Sequence, residues 1–128
     1  MDKKTLVNID IEEGKKLLKI LDNSSIKITS AFWLYLTDIE EWRLMLATKL
    51  IEEVGPQKAY TQLLENTNRH KDTIDIPLEA ITLISPNDPL NLLLKSAIKT
   101  GPGISGVRFS GNVINGVLIK DSYLYRIN

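Results

Sequence analysis

The sequence predicts an α+β domain with a mixed, mostly antiparallel sheet flanked by helices. Three observations carry that prediction. Apolar residues recur at three- and four-residue spacing in three separate stretches, which is the pattern of helices with one buried side. Runs of branched and aromatic residues, bounded by Gly, Pro, Asn and Asp, lie between and after them and read as strands. The order of the elements is α-β-β-α-β-α-β-β, and strands joined by short links pair antiparallel. The 128 residues are 43% hydrophobic and 25% charged. That suits one domain, residues 1–128, able to hide about two-thirds of the surface of its unfolded chain.

The first helix is expected over residues 11–22. Asp10 would cap it, Glu13 would reach back to the cap, and Leu17, Leu18 and Leu21 would form its buried side. Gly14 should weaken the first turn by up to about 1 kcal/mol relative to alanine. Asn23, Ser24 and Ser25 end the helix. A strand follows over residues 26–36; its end, Ala31-Phe32-Trp33-Leu34-Tyr35-Leu36, is apolar on both alternating faces and should be covered on both sides. A polar tip at 37–41 turns the chain, and residues 42–51 return as a second strand. Trp42, Leu44, Leu46 and Leu50 then share one face, with Arg43, Met45, Ala47 and Lys49 on the other. Glu, Leu, Met and Ala all favour helix, so a helix over 39–54 is the competing reading.

Gly55-Pro56 marks the next helix start, with Ala59, Tyr60, Leu63, Leu64 and Thr67 at helical spacing and an end near Arg69. A polar connection covers 70–76, and Pro77 precedes a third strand over 78–84. Asp88 is a good cap and Pro89 a good first residue for a helix expected to run to Thr100. Its buried stripe is Leu90, Leu93, Leu94, Ala97 and Ile98, and Lys95 and Lys99 complement its C-terminal dipole. Gly101 would supply a left-handed cap and Pro102 would prevent continuation. The rest is β. Asn115-Gly116 is the strongest hairpin signal, joining 107–114 to 117–127, with Gly111 as a bulge or kink. A break at Lys120-Asp121-Ser122 would give a three-stranded meander instead, and pattern alone leaves both open.

Several chemistries are excluded. The chain has no cysteine, so it has no disulfide, no thiolate nucleophile and no cysteine-ligated metal. Lys plus Arg equals Asp plus Glu, at 16 each, which leaves no net positive charge to drive counterion release, and no nucleic-acid partner is expected. Lys3, Lys4, Lys15, Lys16 and Lys19 crowd the N-terminal part and read as a solvated helix face. No apolar run approaches the roughly 18 residues of a membrane span. Met1-Asp2-Lys3-Lys4 leads into polar sequence rather than a signal core. A cytoplasmic location without a membrane partner is the expectation.

Gly101-Pro102-Gly103-Ile104-Ser105-Gly106 matches the G-x-G-x-x-G dinucleotide fingerprint letter for letter. That fingerprint needs a strand before it and a helix after it, whereas here a helix precedes and a strand follows. A helix C-terminus is electronegative and disfavours phosphate, so a helix cap leading into a turn is the first reading. Glycines nevertheless let main-chain amides converge on an anion. Lys99, Gly101, Gly103, Ser105, Gly106 and Arg108 are therefore the candidate site for a phosphate-bearing small molecule or nucleotide. The P-loop pattern is absent. Gly103-Ile104-Ser105-Gly106-Val107 departs from a nucleophile elbow at its last position, and the only imidazole, His70, reads as an exposed loop residue.

A weaker alternative is a metal-dependent nuclease using Asp38, Glu40 and Glu41 beside Arg43. Tyr123 and Tyr125 beside Arg126 are spaced to stack bases, but Ile119 and Ile127 extend the same alternating face and favour core packing. No catalytic residue, metal or cofactor is assigned. Trp33, Tyr35, Trp42, Tyr60, Tyr123 and Tyr125 are large amphipathic rings of the kind enriched at interfaces, and the final strand is expected at an open sheet edge. The leading expectation is a non-enzymatic protein-interaction module, self-association included.

Five segments carry a resemblance: Ala31-Phe32-Trp33-Leu34-Tyr35-Leu36, Glu41-Trp42-Arg43-Leu44, Ser85-Pro86-Asn87-Asp88-Pro89, Gly101-Pro102-Gly103-Ile104-Ser105-Gly106 and Ser122-Tyr123-Leu124-Tyr125-Arg126. The chain resembles, over most of its length, a set of small uncharacterised bacterial proteins. That resemblance implies no activity, ligand or catalytic residue.

Overall fold

The computed structural model describes residues 5–128; Lys3 and Lys4 of the N-terminal lysine group lie outside them. The helices are α1 (Asn8–Asp22), α2 (Leu50–Val54), α3 (Pro56–Arg69) and α4 (Pro89–Ala97). The strands are β1 (Ser30–Leu36), β2 (Glu41–Ala47), β3 (Ile81–Ile84), β4 (Val107–Arg108), β5 (Asn112–Ile114), β6 (Val117–Ile119) and β7 (Ser122–Ile127). Five strands form one sheet in the order β3-β2-β1-β7-β4, and β5 and β6 form a ribbon of two. Only β2 and β3 run parallel, because α3 carries the chain back to the same end of the sheet. The α+β class is as predicted.

Strand alternation gives the sheet two apolar faces. On one, Ala31, Trp33, Leu44 and Leu46 pack against Leu17, Leu18 and Leu21 of α1 and Ala59 and Leu63 of α3. On the other, Phe32, Leu34, Met45 and Leu124 pack beneath Leu94 of α4 and beneath Ile114 and Ile119 of the ribbon. The double-sided burial expected of β1 holds over residues 31–34, while Tyr35 and Leu36 are half-buried.

Several element boundaries differ from expectation, each for a local reason. Asp10 is not the cap of α1: it lies inside the helix, and its carboxylate accepts the Val7 N–H at 3.0 Å. Glu13 instead accepts the Asp75 N–H at 2.6 Å and pairs with Lys16 at 2.8 Å. The Lys16 ammonium holds its carboxyl below the usual carboxylate range, against the opposing cost of burial. β1 starts at Ser30 rather than residue 26, although Ile26 and Ile28 are buried. β2 stops at Ala47, because the Thr48 hydroxyl accepts the Leu50 N–H at 3.2 Å and starts α2. Helix thus prevails over residues 50–54 alone. A short 3-10 turn, Leu78–Ala80, replaces the first half of the expected third strand. Asp88 caps α4 as expected, accepting the Leu90 N–H at 2.9 Å, but α4 ends at Ala97. Ile98 is extended, and the Thr100 N–H bonds the Ile127 carbonyl at 3.0 Å. Gly101, at φ +86°, is therefore a turn residue in an extended segment and not the cap of the helix.

Residues 107–124 form one kinked hairpin. Val107 faces Leu124, Arg108 faces Tyr123, Asn112 faces Ile119 and Ile114 faces Val117, so the register is continuous across both sheets. Asn115 (φ 48°) and Gly116 (φ 80°) make the turn, and Gly111 (φ 66°) lies at the kink. The hairpin with a glycine kink is what forms, not the three-stranded meander. Its distal half folds over beside α4.

The last strand is not an edge. β1 covers one side of β7. Along the other, the Ser105 N–H bonds the Tyr125 carbonyl at 2.6 Å, β4 pairs with residues 123 and 124, and the Phe109 N–H bonds the Ser122 carbonyl at 3.0 Å. β7 also carries a bulge: Ala31 faces Arg126 but Phe32 faces Leu124, leaving Tyr125 without an opposite. The extra residue resets the alternation. Tyr123 and Tyr125 consequently face α1, while Ile127 faces α4, as does Ile119 on the ribbon. These isoleucines do not extend the tyrosine face. At the opposite end of the sheet, the Tyr60 hydroxyl accepts the Leu83 N–H at 2.9 Å, so α3 occupies a donor of the β3 edge.

Candidate functional site

The glycine segment lies along β7. Ser105 spends its amide on Tyr125, and the Gly103 carbonyl accepts from Arg126 Nε at 3.1 Å. Gly106 touches the Tyr123 hydroxyl so closely that a Cβ would overlap it. Arg108 is forked onto Asp121 at 2.8 and 2.5 Å and lies 5.6 Å from the centre of the Trp42 ring. That carboxylate raises the pKa of the guanidinium. Lys99 is exposed on the extended stretch before Gly101. The six candidate residues are thus strung along a sheet margin, with Arg108 already paired and the Ser105 amide turned into the sheet.

The six aromatic candidates also lie inward. Trp33, Trp42 and Tyr125 are buried, and Tyr35, Tyr60 and Tyr123 are half-buried. The Tyr125 hydroxyl accepts from Trp33 Nε1 at 3.0 Å and donates to the Ile11 carbonyl at 2.6 Å. Burial pushes the ionisation of this phenol far upward. Gly14 exists for this contact, since a Cβ there would overlap the Tyr125 hydroxyl. Arg126, 5% exposed, forks onto Asp22 at 3.0 and 2.7 Å and also donates to the Ile28 carbonyl at 2.9 Å. It ties the end of α1 to β7 and the glycine segment.

The remaining chemical candidates are dispersed. His70 follows α3, its Nδ1 lying 3.1 Å from the Asn66 carbonyl oxygen. Glu41 is taken by Arg43 through two contacts of 3.2 Å, and Glu40 occupies the turn at φ 51°. Among the described residues, no three His, Asp or Glu side chains gather as a metal site, which includes Asp38, Glu40 and Glu41. No helix among them is long and apolar enough to cross a membrane.

The surface does offer apolar residues, though not the aromatic ones. On the ribbon, Val113 is 65% exposed, Leu118 57% and Val117 48%; on neighbouring α4, Leu92 is 47% exposed. Val113 and Leu118 are directly opposite each other across the ribbon, so they form one outward pair while Ile114 and Ile119 face in. Sequence reasoning passed over this pair. The available signal was apolar residues at both alternating positions beside the Asn115-Gly116 turn, in a ribbon with only one face to bury. No protein-family model, no curated protein and no solved structure matches the chain.

Proposed function

We propose that the protein is a non-enzymatic interaction module that associates with a second copy of itself through the outer face of the β5–β6 ribbon. The supporting observation is the exposed pair Val113 and Leu118, directly opposite each other on the outer face. Apolar side chains grouped on a surface gain by being covered. The ribbon presents them on a short antiparallel frame with free outer edges, a geometry suited to strand-to-strand or face-to-face docking. The formal net charge of zero removes long-range repulsion between copies. Light scattering across a concentration series tests this reading. Wild type should shift from monomer to dimer, and Val113→Asp with Leu118→Asp should hold the chain monomeric without loss of helical signal. A wild type that stays monomeric up to its solubility limit would remove the proposal.

A further inference from the structure

Three hollows adjoin residues 23–29, the connection from α1 to β1. The largest, about 510 Å³, lies between α1 and α3 and is lined by Lys19, Ser24, Ser25, Glu65 and Arg69 among others. A second, about 460 Å³, is lined by Ser25, Lys27, Thr29, Thr48, Lys49 and Glu53 among others. A third, about 300 Å³, shares Ser24 with the first and Lys27 and Thr29 with the second. Through these shared residues the three hollows adjoin around the Ser24-Ser25 turn, as a polar groove of three parts.

Its charges are lopsided. Among the described residues, Lys19, Lys27, Lys49 and Arg69 form no ion pair, whereas Asp22 and Arg126 satisfy each other. Four cations therefore face two carboxylates, Glu53 and Glu65, and the electronegative C-terminal ends of α1 and α3, on a chain whose formal net charge is zero. Neutral donors lie between them. Ser25 lines both larger hollows, and the Thr48 hydroxyl accepts from the Leu50 amide, which leaves its proton to give.

We propose that this groove binds the phosphate chain of a small molecule, such as the polyphosphate tail of a nucleotide. Lys27 and Lys49 hold one end, and Lys19 and Arg69 hold the other, across Ser25. Cations placed on both sides of one turn suit a ligand that carries charge at more than one point, which a phosphate chain does and a single carboxylate does not. Lysine and arginine both serve phosphate, as point charge and fork respectively, and the hollow is of ordinary ligand size. The two cation pairs are not equivalent. Lys19 and Arg69 lie in the last turns of α1 and α3, where they already offset the partial negative charge of those helix ends. Lys27 and Lys49 have no such duty, so the stronger hold is theirs. This proposal is independent of the ribbon and of Lys99, Gly103, Ser105 and Arg108, although Pro102 of the glycine segment borders the third hollow.

Calorimetric titration at low salt tests it, with tripolyphosphate, a nucleoside triphosphate and a single-stranded oligonucleotide as probes. The two small phosphates should bind, and binding should weaken as salt is added. Lys27→Glu with Lys49→Glu should weaken it by about tenfold or more, Lys19→Glu with Arg69→Glu by less, and Lys95→Glu on α4 not at all. All these lysines and Arg69 are exposed, and circular dichroism checks that each variant is folded. No binding of either small phosphate would overturn the proposal. So would equal loss from Lys95→Glu, or an oligonucleotide that binds more tightly than both.

Discussion

Where α1 and α3 cover the sheet, polar ties run through the apolar packing. Tyr125 links Trp33 to the Ile11 carbonyl, Arg126 links Asp22 to the Ile28 carbonyl, and Glu13 holds the Asp75 amide. Where α4 and the ribbon cover it, Phe32, Met45, Leu94, Ile114, Ile119 and Leu124 meet through apolar contact, and the buried Asn91 and Ser122 side chains each donate to a carbonyl, of Pro86 and Phe109, without tying a helix to the sheet. The two faces bury comparable side chains by different means. Hydrogen bonds to buried partners are directional and costly to leave unmade, so the first face fixes the placement of α1. Apolar contact is non-directional and tolerates repacking. The second face is therefore the one suited to a cover with both an inner and an outer apolar surface, as the ribbon has.

The contrast is most exposed to test at Arg126. Arg126→Met should cost about 2–3 kcal/mol, because it leaves the Ile28 and Gly103 carbonyls without their donor; urea unfolding measures it, and a loss under 1 kcal/mol would mean the polar ties are incidental. Gly14→Val should follow at about 2–3 kcal/mol, since the new side chain must displace Tyr125 from α1, and near-wild-type denaturation would show that α1 can slide. Tyr125→Phe should cost about 2 kcal/mol by leaving Trp33 Nε1 without an acceptor and removing the second donor to the Ile11 carbonyl. It also carries a pH signature. Burial raises the phenol above its unfolded value of about 10. Its contribution is thus complete below about pH 10 and is lost as pH rises beyond that; the phenylalanine variant should show a shallower alkaline decline, and an unchanged decline would assign it to other groups. Ile119→Val, on the second face, should cost only about 1 kcal/mol. Hydrogen exchange should show that cost at the ribbon amides and not across β1; faster exchange throughout would mean the two faces unfold as one unit.

Much of this frame was legible in the chain. Pro56, Asp88 and Pro89 marked where α3 and α4 begin, because a cap or a fixed φ acts on its own neighbours. The opposite faces of Trp42, Leu44 and Leu46 against Met45 and Ala47 followed from strand alternation. The position of Gly111 at a kink and the Asn115-Gly116 turn followed from the left-handed conformations each tolerates. The candidate sites were less legible. The glycine hexapeptide drew attention by composition, yet Gly106 is shaped by Tyr123 and the Gly103 carbonyl is taken by Arg126, partners remote in sequence. The aromatic rings suggested an interface by type, while their burial depended on which helices came to cover them.

By itself the sequence determined the helical stretches, the alternating strands and the hairpin turn, since each depends on interactions within a few residues. Tertiary structure alone decided that β7 lies inside the sheet, that one bulged residue sends Tyr125 and Ile127 to opposite faces, and that Lys19 and Arg69 line one hollow while Lys27 and Lys49 line its neighbour. Those outcomes depend on which distant backbones exchange hydrogen bonds, and a one-residue change of register reverses them without altering any local pattern.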